Sequence, residues 1–495
     1  MVLALIVLSL VSGSGRLPPT APGLIAEIGP VARSCQGVAV TPADDVQALI
    51  DAHPPATTFC LSAGTYRLET PLEPKRGDAL IGHRGAVLSG SKVLTDWRLD
   101  GRLWVANGFL PAAFGTHGQC MPSAPQCAFA EDVFFDKRRL ERVASPAAVV
   151  PGTVYADYST NTIIIGADPR SHLVEQAVAP SLVRAAVDEV TVANLVLEQA
   201  ANEAQVGAVD SRRISPYFAG SGWRILNNEV RLNHGVGIGF AGASIVRGNH
   251  VHHQGQLGFS AWAGDSILSN NEISFNGTAG YSAEWEAGGG KSWLTTRLKL
   301  VHNHVHGNMG PGLWADGGNI DMTYEYNRID DNWGAGIQHE ISYDALIRYN
   351  DINRNGRRHK GWAWEAGIQI QSSGGIDRIE VAHNVVRHNA NGITLIDSGD
   401  RTWERPAPHG PHVVRNVWVH DNVVTMVEDS TTGAVEDTGD RGIFTTRNNR
   451  FDANTYYLPA LTGPYFSWFG EDMEWSRWRG SGSGNDVNGR VERAD

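Results

Sequence analysis

Between residues 185 and 430 the apolar and polar positions recur in two linked blocks, with a period longer than that of any helix or strand. The first block reads Asn-x-(Val/Ile)-x-x-(Asn/Gln) and occupies 228–233, 249–254, 271–276, 303–308, 327–332, 350–355 and 384–389. The second opens on a glycine (Gly237, Gly258, Gly280, Gly312, Gly336, Gly367, Gly392) followed by Ile238, Phe259, Tyr281, Leu313, Ile337, Ile368 and Ile393. Successive repeats of about 21 to 25 residues are the size of one solenoid coil that packs only on its neighbours. Short β-branched runs bounded by Asn and Gly make each coil a set of strands. The pattern predicts an all-β fold, a right-handed parallel β-helix (solenoid). The asparagines are expected to stack as hydrogen-bonded ladders at turns, where Asn tolerates left-handed backbone.

Residues 36–100 read as an N-terminal cap and the first coils. Thr41 and Pro42 look like the N-cap and first residue of a capping helix that continues through the amphipathic stretch 46–52 and covers the open end. Residues 101–180 break the rhythm with prolines, two cysteines and hairpin-like runs at 133–136 and 162–165. They predict a small inserted β-rich domain beside one end of a groove. The main helix is expected over 181–460, with a C-terminal tail over 461–495.

Side chains alternate along a strand. If the residue after each glycine points inward, those two and four after it share the outer face. Four after the glycine stand Ala241, Trp262, Glu284, Asp316, Glu340, Gln371 and Ile396; two after it stand Gly239, Ser260, Ser282, Trp314, Gln338, Gln369 and Thr394. Three successive carboxylates, Glu284, Asp316 and Glu340, are thus predicted in one line with Gln371 below. Strands lie roughly 4.8 Å apart, and like charges stacked so closely weaken a sheet. That cost points to catalysis. Retaining glycosidases place two carboxyl groups about 5 to 5.5 Å apart, and crowding divides such groups into an acid and a nucleophile.

Two apparent loop expansions flank this line. One holds Trp285, Glu286 and Lys291; the other holds Arg357, Arg358, His359, Lys360, Trp362 and Trp364. Aromatic faces and directional polar tips suit sugar rings. Trp314, Gln338, Gln369, Gln371, Glu286, Lys291, Trp285, Trp362 and Trp364 are the expected substrate-binding residues. Alternation turns His339 inward as a buried histidine. His302, His304 and His306 read as solvated or turn residues, with no metal expected.

A net charge of −12 without a basic run speaks against nucleic acid. Residues 2–11 are apolar and too short to span a bilayer, so the segment 1–16 reads as a secretory signal. Cys35, Cys60, Cys120 and Cys127 allow three pairings, of which the nearest-neighbour one is expected in an exported protein.

The strand Gly312-Leu313-Trp314-Ala315-Asp316, followed one coil later by Gly336-Ile337-Gln338-His339-Glu340, resembles bacterial parallel β-helix glycoside hydrolases, and among them a β-xylosidase family with an inserted β-domain. The resemblance implies that Asp316 is the nucleophile and Glu340 the acid/base. The chain departs from that family in Gly317-Gly318 after the aspartate and in Ile341-Ser342-Tyr343 after the glutamate. The leading expectation is a secreted retaining glycoside hydrolase that acts on a poly- or oligosaccharide without a cofactor. A polysaccharide lyase or uronate epimerase is the alternative, with Glu284, Asp316 and Glu340 holding Ca²⁺ and Lys291 or an arginine as base. A non-catalytic carbohydrate-binding surface protein is the third.

Overall fold

The computed structural model describes residues 23–111, 117–213, 218–356, 361–399, 409–480 and 483–494. The apolar run 2–11 and the loop residues 357–360 lie outside them. Each coil contributes three short strands, and the stacked coils form three long sheets. Two sheets have 13 strands, running from Val38–Val40 to Arg450–Asp452 and from Gly64–Arg67 to Arg490–Arg493; the third has 12, from Val183–Arg184 to Glu471–Met473. Neighbouring coils pair parallel and in register, so like residues stack: Val230, Val251, Ile273, Val305, Ile329, Ile352, Val386 and Val424 form one inward column. Each is almost wholly buried. A single core therefore runs from Val40 to Trp478, as expected when each coil shields the next.

The asparagines form two ladders. In one, the side-chain amides of Asn228, Asn249, Asn271, Asn303, Asn327, Asn350, Asn384, Asn422 and Asn454 each donate to the next, and the ladder ends on Asp486. In the other, Asn276, Asn308, Asn332 and Asn355 donate in turn, ending on Asn389. The left-handed residue is the one before each ladder asparagine, not the asparagine itself. In the first ladder it is Asn227, Gly248, Asn270, His302, Tyr326, Tyr349, His383, Asp421 or Ala453. The ladder bonds hold that strained turn closed, so bulky residues are accepted there; His302, Tyr326, Tyr349 and His383 stack as a file of rings 5.0 to 5.2 Å apart.

Asn303 measures the ladder's worth. Its Oδ1 accepts from Asn271 N and Nδ2, and its Nδ2 donates to Leu268 O and Asn327 Oδ1, each at 3.0 Å. Asn303→Ala strands the buried Asn271 N and Leu268 O of one coil and unlinks the side-chain amides of Asn271 and Asn327. A loss of about 3 kcal/mol or more is expected, read as the shift of the urea unfolding midpoint.

The solenoid's ends are closed by different devices. The helix Val46–Ala52 buries Val46 and Ile50, but its N-cap is Asp45, whose carboxylate accepts from Ala48 N at 3.0 Å. Thr41 bonds Asp44 in the preceding turn instead. The expected tail is the final cap: the strand Phe466–Trp468, the helix Trp475–Arg479 and the strand Arg490–Arg493 close the core with Trp468 and Trp478.

The excursion leaves the coil stack unbroken, since Ala79–Gly82 pairs directly with Thr191–Ala193 and Ala86–Ser89 with Val196–Glu198. It starts at Ser91, ahead of residue 101, because Ser91–Val93 pairs with Val174–Ala177. It has its own small core around Val133, Val154, Ile163 and Ile165. Disulfides join Cys35 to Cys60 and Cys120 to Cys127.

Candidate active site

Six strands of the 12-stranded sheet build the candidate site: Leu257–Gly264, Gly288–Thr296, Leu313–Asp316, Ile337–Glu340, Ala366–Gln371 and Asn391–Asp397. Their register places Phe259, Gly290, Leu313, Ile337, Ile368 and Ile393 inward. One outward line reads Ser260, Lys291, Trp314, Gln338, Gln369 and Thr394. The second continues from Trp262 and Trp293 to Asp316, Glu340, Gln371 and Ile396.

Asp316 and Glu340 are direct partners on adjacent strands. Asp316 Oδ2 lies 2.8 Å from Lys291 Nζ, which also approaches Glu286 Oε1 at 3.5 Å and sits 4.2 Å from the centre of the Trp314 ring. Burial works against the Lys291 charge, but Glu286, Asp316 and Glu340 outweigh it and push its pKa above the usual lysine value. Lys291 is therefore a fixed cation beside Asp316. Glu340 is 1% exposed. Trp314 Nε1 and Gln338 Nε2 both donate to its Oε2, each at 2.8 Å. Gln371 Oε1 accepts from Gln369 Nε2 at 3.0 Å, while its buried Nε2 meets no protein acceptor.

Glu340 lies in the floor of a cleft of about 490 Å³ together with Trp314, Gln338, Gln369 and Gln371. Trp333 and Trp364 form apolar parts of its wall, and Cys120, Met121 and Pro122 of the excursion close one side. The excursion is anchored there by the bridge between Cys120 and Tyr281.

Glu284 does not stand in the carboxylate line. The strand Leu257–Gly264 pairs with Gly288–Thr296, so the glycine of that coil is Gly289 and the line carries Trp293 where Glu284 was expected. Glu284 is exposed in the turn that precedes this strand and reaches only the cleft's rim. Glu286 is buried, hydrogen-bonded by Gln205 and close to Lys291. Trp285 packs on Tyr281 and His117 rather than over the cleft. Trp362 is 52% exposed and lines a neighbouring recess of about 440 Å³ with Glu428, Asp429 and Tyr465; its ring centre is 6.2 Å from that of Trp364. Trp333 lines the cleft and was not among the expected binding residues, while Trp262 and Trp293 continue the outward line beyond Asp316.

The arrangement supplies two carboxyl groups one strand apart, a fixed cation against one of them and hydrogen-bond donors on the other. It does not assemble the proposed calcium set: Glu284 is off the line, and the Lys291 ammonium already occupies Asp316. A lysine held so firmly protonated is also a poor base.

His339 points inward, fully buried, with Nε2 2.8 Å from Tyr343 O. Burial lowers its pKa to about 4. Below the unfolded value near 6.5 the unfolded chain takes up a proton that the folded chain refuses, so this histidine destabilises the fold progressively from about pH 6.5 down to pH 4. Between pH 7 and pH 5, His339→Gln should lose about 2 kcal/mol less stability than the parent; parallel urea titrations at the two pH values check this.

Residues 217–361 and 317–405 match the family described as right handed beta helix region. No curated protein matches the chain by sequence. Among solved structures, XylC in complex with xylose is similar at a TM-score of 0.55 and 14% identity, covering 80% of this chain and 83% of that one. The A-module of Azotobacter vinelandii mannuronan C-5 epimerase AlgE4 gives 0.47 at 16% identity, covering 86% and 95%. The catalytic unit of a GH87 α-1,3-glucanase from Streptomyces thermodiastaticus gives 0.45 at 11%, covering 94% and 70%. At these identities the likeness is one of fold, the right-handed parallel β-helix.

Proposed function

We propose that the chain is an exported retaining glycoside hydrolase of poly- or oligosaccharides, with Asp316 as nucleophile and Glu340 as acid/base. The observation that carries this reading is the in-register pairing of the two residues on neighbouring strands. Strands lie roughly 4.8 Å apart, which places direct partners nearer the 5 to 5.5 Å carboxyl separation of retaining enzymes than the 6.5 to 9.5 Å of inverting ones. Lys291 pairs with Asp316, the group that attacks the anomeric carbon. Glu340 gives its proton to the departing oxygen, and the N–H groups of Trp314 and Gln338 then stabilise the resulting carboxylate. That carboxylate next takes a proton from the water that frees the sugar. Trp314, Trp333 and Trp364 offer ring faces, while Gln371 Nε2 is available to a hydroxyl. Export is supported by the two disulfides and the apolar run 2–11, and no helix of the described residues is long and apolar enough to cross a membrane.

XylC was solved with xylose, which makes pentose oligosaccharides the first substrates to try. The test is proton NMR of the first product formed from such a panel. Retention of anomeric configuration is expected. An unsaturated, ultraviolet-absorbing product would establish a lyase instead, and binding without turnover across the panel would leave a carbohydrate-binding protein.

A further inference from the structure

The sheet that runs from Gly64–Arg67 to Arg490–Arg493 carries none of the cleft-lining strands, yet it holds a concentration of imidazoles. The strands His250–His252, Glu272–Ser274 and His304–His306 are consecutive in it. Their register aligns His250, Glu272 and His304, and aligns His252, Ser274 and His306. Val251, Ile273 and Val305 point into the core, so all six flanking side chains face outward. On each histidine strand the two rings stack, with centres 4.0 Å apart for His250 and His252 and 4.2 Å apart for His304 and His306. Glu272 stands between the pairs, its Oε1 3.0 Å from His306 Nε2 and 3.9 Å from His250 Nε2.

We propose that Glu272, His304 and His306 form a binding site for a divalent transition metal ion, with Zn²⁺ as its best representative. One donor atom from each of the three lies within 4.8 Å of the others. Two histidines separated by one residue on a strand share a face, roughly 6.6 Å apart along the chain, and their rings can converge on one ion. Zinc binds imidazole nitrogen and carboxylate oxygen at about 2.0 to 2.2 Å, so the donors must close by small rotations of side chains that are 20 to 24% exposed. A second-layer partner is in place: Asp330 Oδ2 is 2.9 Å from His304 Nε2, the carboxylate contact that orients a ligating imidazole. Mixed imidazole and carboxylate donors suit Zn²⁺, Cu²⁺ or Ni²⁺, whereas Ca²⁺ and Mg²⁺ take oxygen ligands. Three protein ligands leave one tetrahedral position for water, and His250 is the nearest further imidazole to Glu272. Because the ligands come from adjacent coils, the ion acts as a clip between them and stabilises the folded chain on binding.

The test is isothermal titration of the full-length protein, freed of metal by chelator and dialysis, with zinc chloride. One equivalent bound and a raised thermal midpoint are expected. Glu272→Gln and the double variant His304→Ala/His306→Ala should each bind at least tenfold more weakly. Absence of binding, or equal binding by the double variant, overturns the proposal. Footprinting of the unmodified protein with diethyl pyrocarbonate needs no variant. Zinc should protect His304 and His306 while the exposed His83 stays reactive; equal modification of His304 and His306 with and without zinc rejects the site.

Discussion

Asp316→Ala is expected to lower kcat at least about 10⁴-fold on every glycoside, whatever its leaving group. Protonation of the leaving oxygen matters less as that group improves, but the attack that makes the covalent intermediate is needed in all cases. Among the described residues the other carboxylates near the cleft are Glu284, Glu365 and Glu286, and none of them is on the line beside Glu340. Glu284 lies in a turn outside the line, and Glu286 is separated from Asp316 by the Lys291 ammonium that both contact. The isosteric Asp316→Asn keeps the strand's packing and should be nearly as inactive, which separates chemistry from folding. Azide gives the distinguishing readout. With the carboxylate gone, a small anion can enter from its side and yield a glycosyl azide of inverted configuration. Residual activity above about 1% on an aryl glycoside would show that another group attacks.

The fold was legible in the sequence because a solenoid repeats its reasons. Each coil needs an aliphatic residue over the last one, an asparagine for the ladder and a glycine where a Cβ would strike the neighbouring coil. A motif that is weak once becomes decisive over seven occurrences. The ladder's geometry was legible only in part. The asparagines recur because their amides bridge coils, and the left-handed residue beside them can be Asn270, His302 or Tyr326. A position that accepts such different side chains leaves no residue signature. The cap Phe466–Trp468 to Trp475–Arg479 was missed because it appears once, and its aromatic clustering was the available sign.

The register of the outward line was legible wherever its coil obeyed the repeat. Asp316 and Glu340 fall on coils of regular length and pair as the alignment predicted. Glu284 came from the one coil where the core residue is glycine. Phe259 overhangs that place, and a Cβ on Gly290 would lie 2.1 Å from its ring. With no apolar residue to mark the inward position, Gly280-Tyr281 imitated the motif, although Gly280 is a left-handed turn residue packed on Ala124 of the excursion. The competing match Gly289-Gly290-Lys291-Ser292-Trp293 was visible beside Gly258-Phe259-Ser260-Ala261-Trp262 through its shared tryptophan. The roles of Cys120, Met121 and Pro122 in the cleft wall depend on how a distant excursion folds back, which no local pattern encodes.

Glu340→Ala should divide substrates by leaving group. On natural oligosaccharides, whose alkoxide leaving groups need a proton, kcat/KM is expected to fall about 10² to 10⁴-fold, the usual worth of a positioned acid. On an activated aryl glycoside the first step needs little protonation, so kcat/KM should fall far less. The second step still lacks its base, so kcat should drop and the covalent intermediate accumulate. Azide needs no base and should restore turnover, entering from the face that water used and giving a glycosyl azide of retained configuration. The opposite stereochemistry expected for the Asp316 variant makes the two assignments independently readable. Trp314→Phe tests the supporting donor: it keeps an aromatic face in the cleft but removes the Nε1–H bond to Glu340 Oε2. With that donor gone, kcat on natural oligosaccharides should fall, and kcat on an activated aryl glycoside should change less. Full activity of Glu340→Ala on natural oligosaccharide would remove it from the mechanism. An inverted product from the parent enzyme would require the wider carboxyl separation that admits a water between them, and would overturn the retaining assignment.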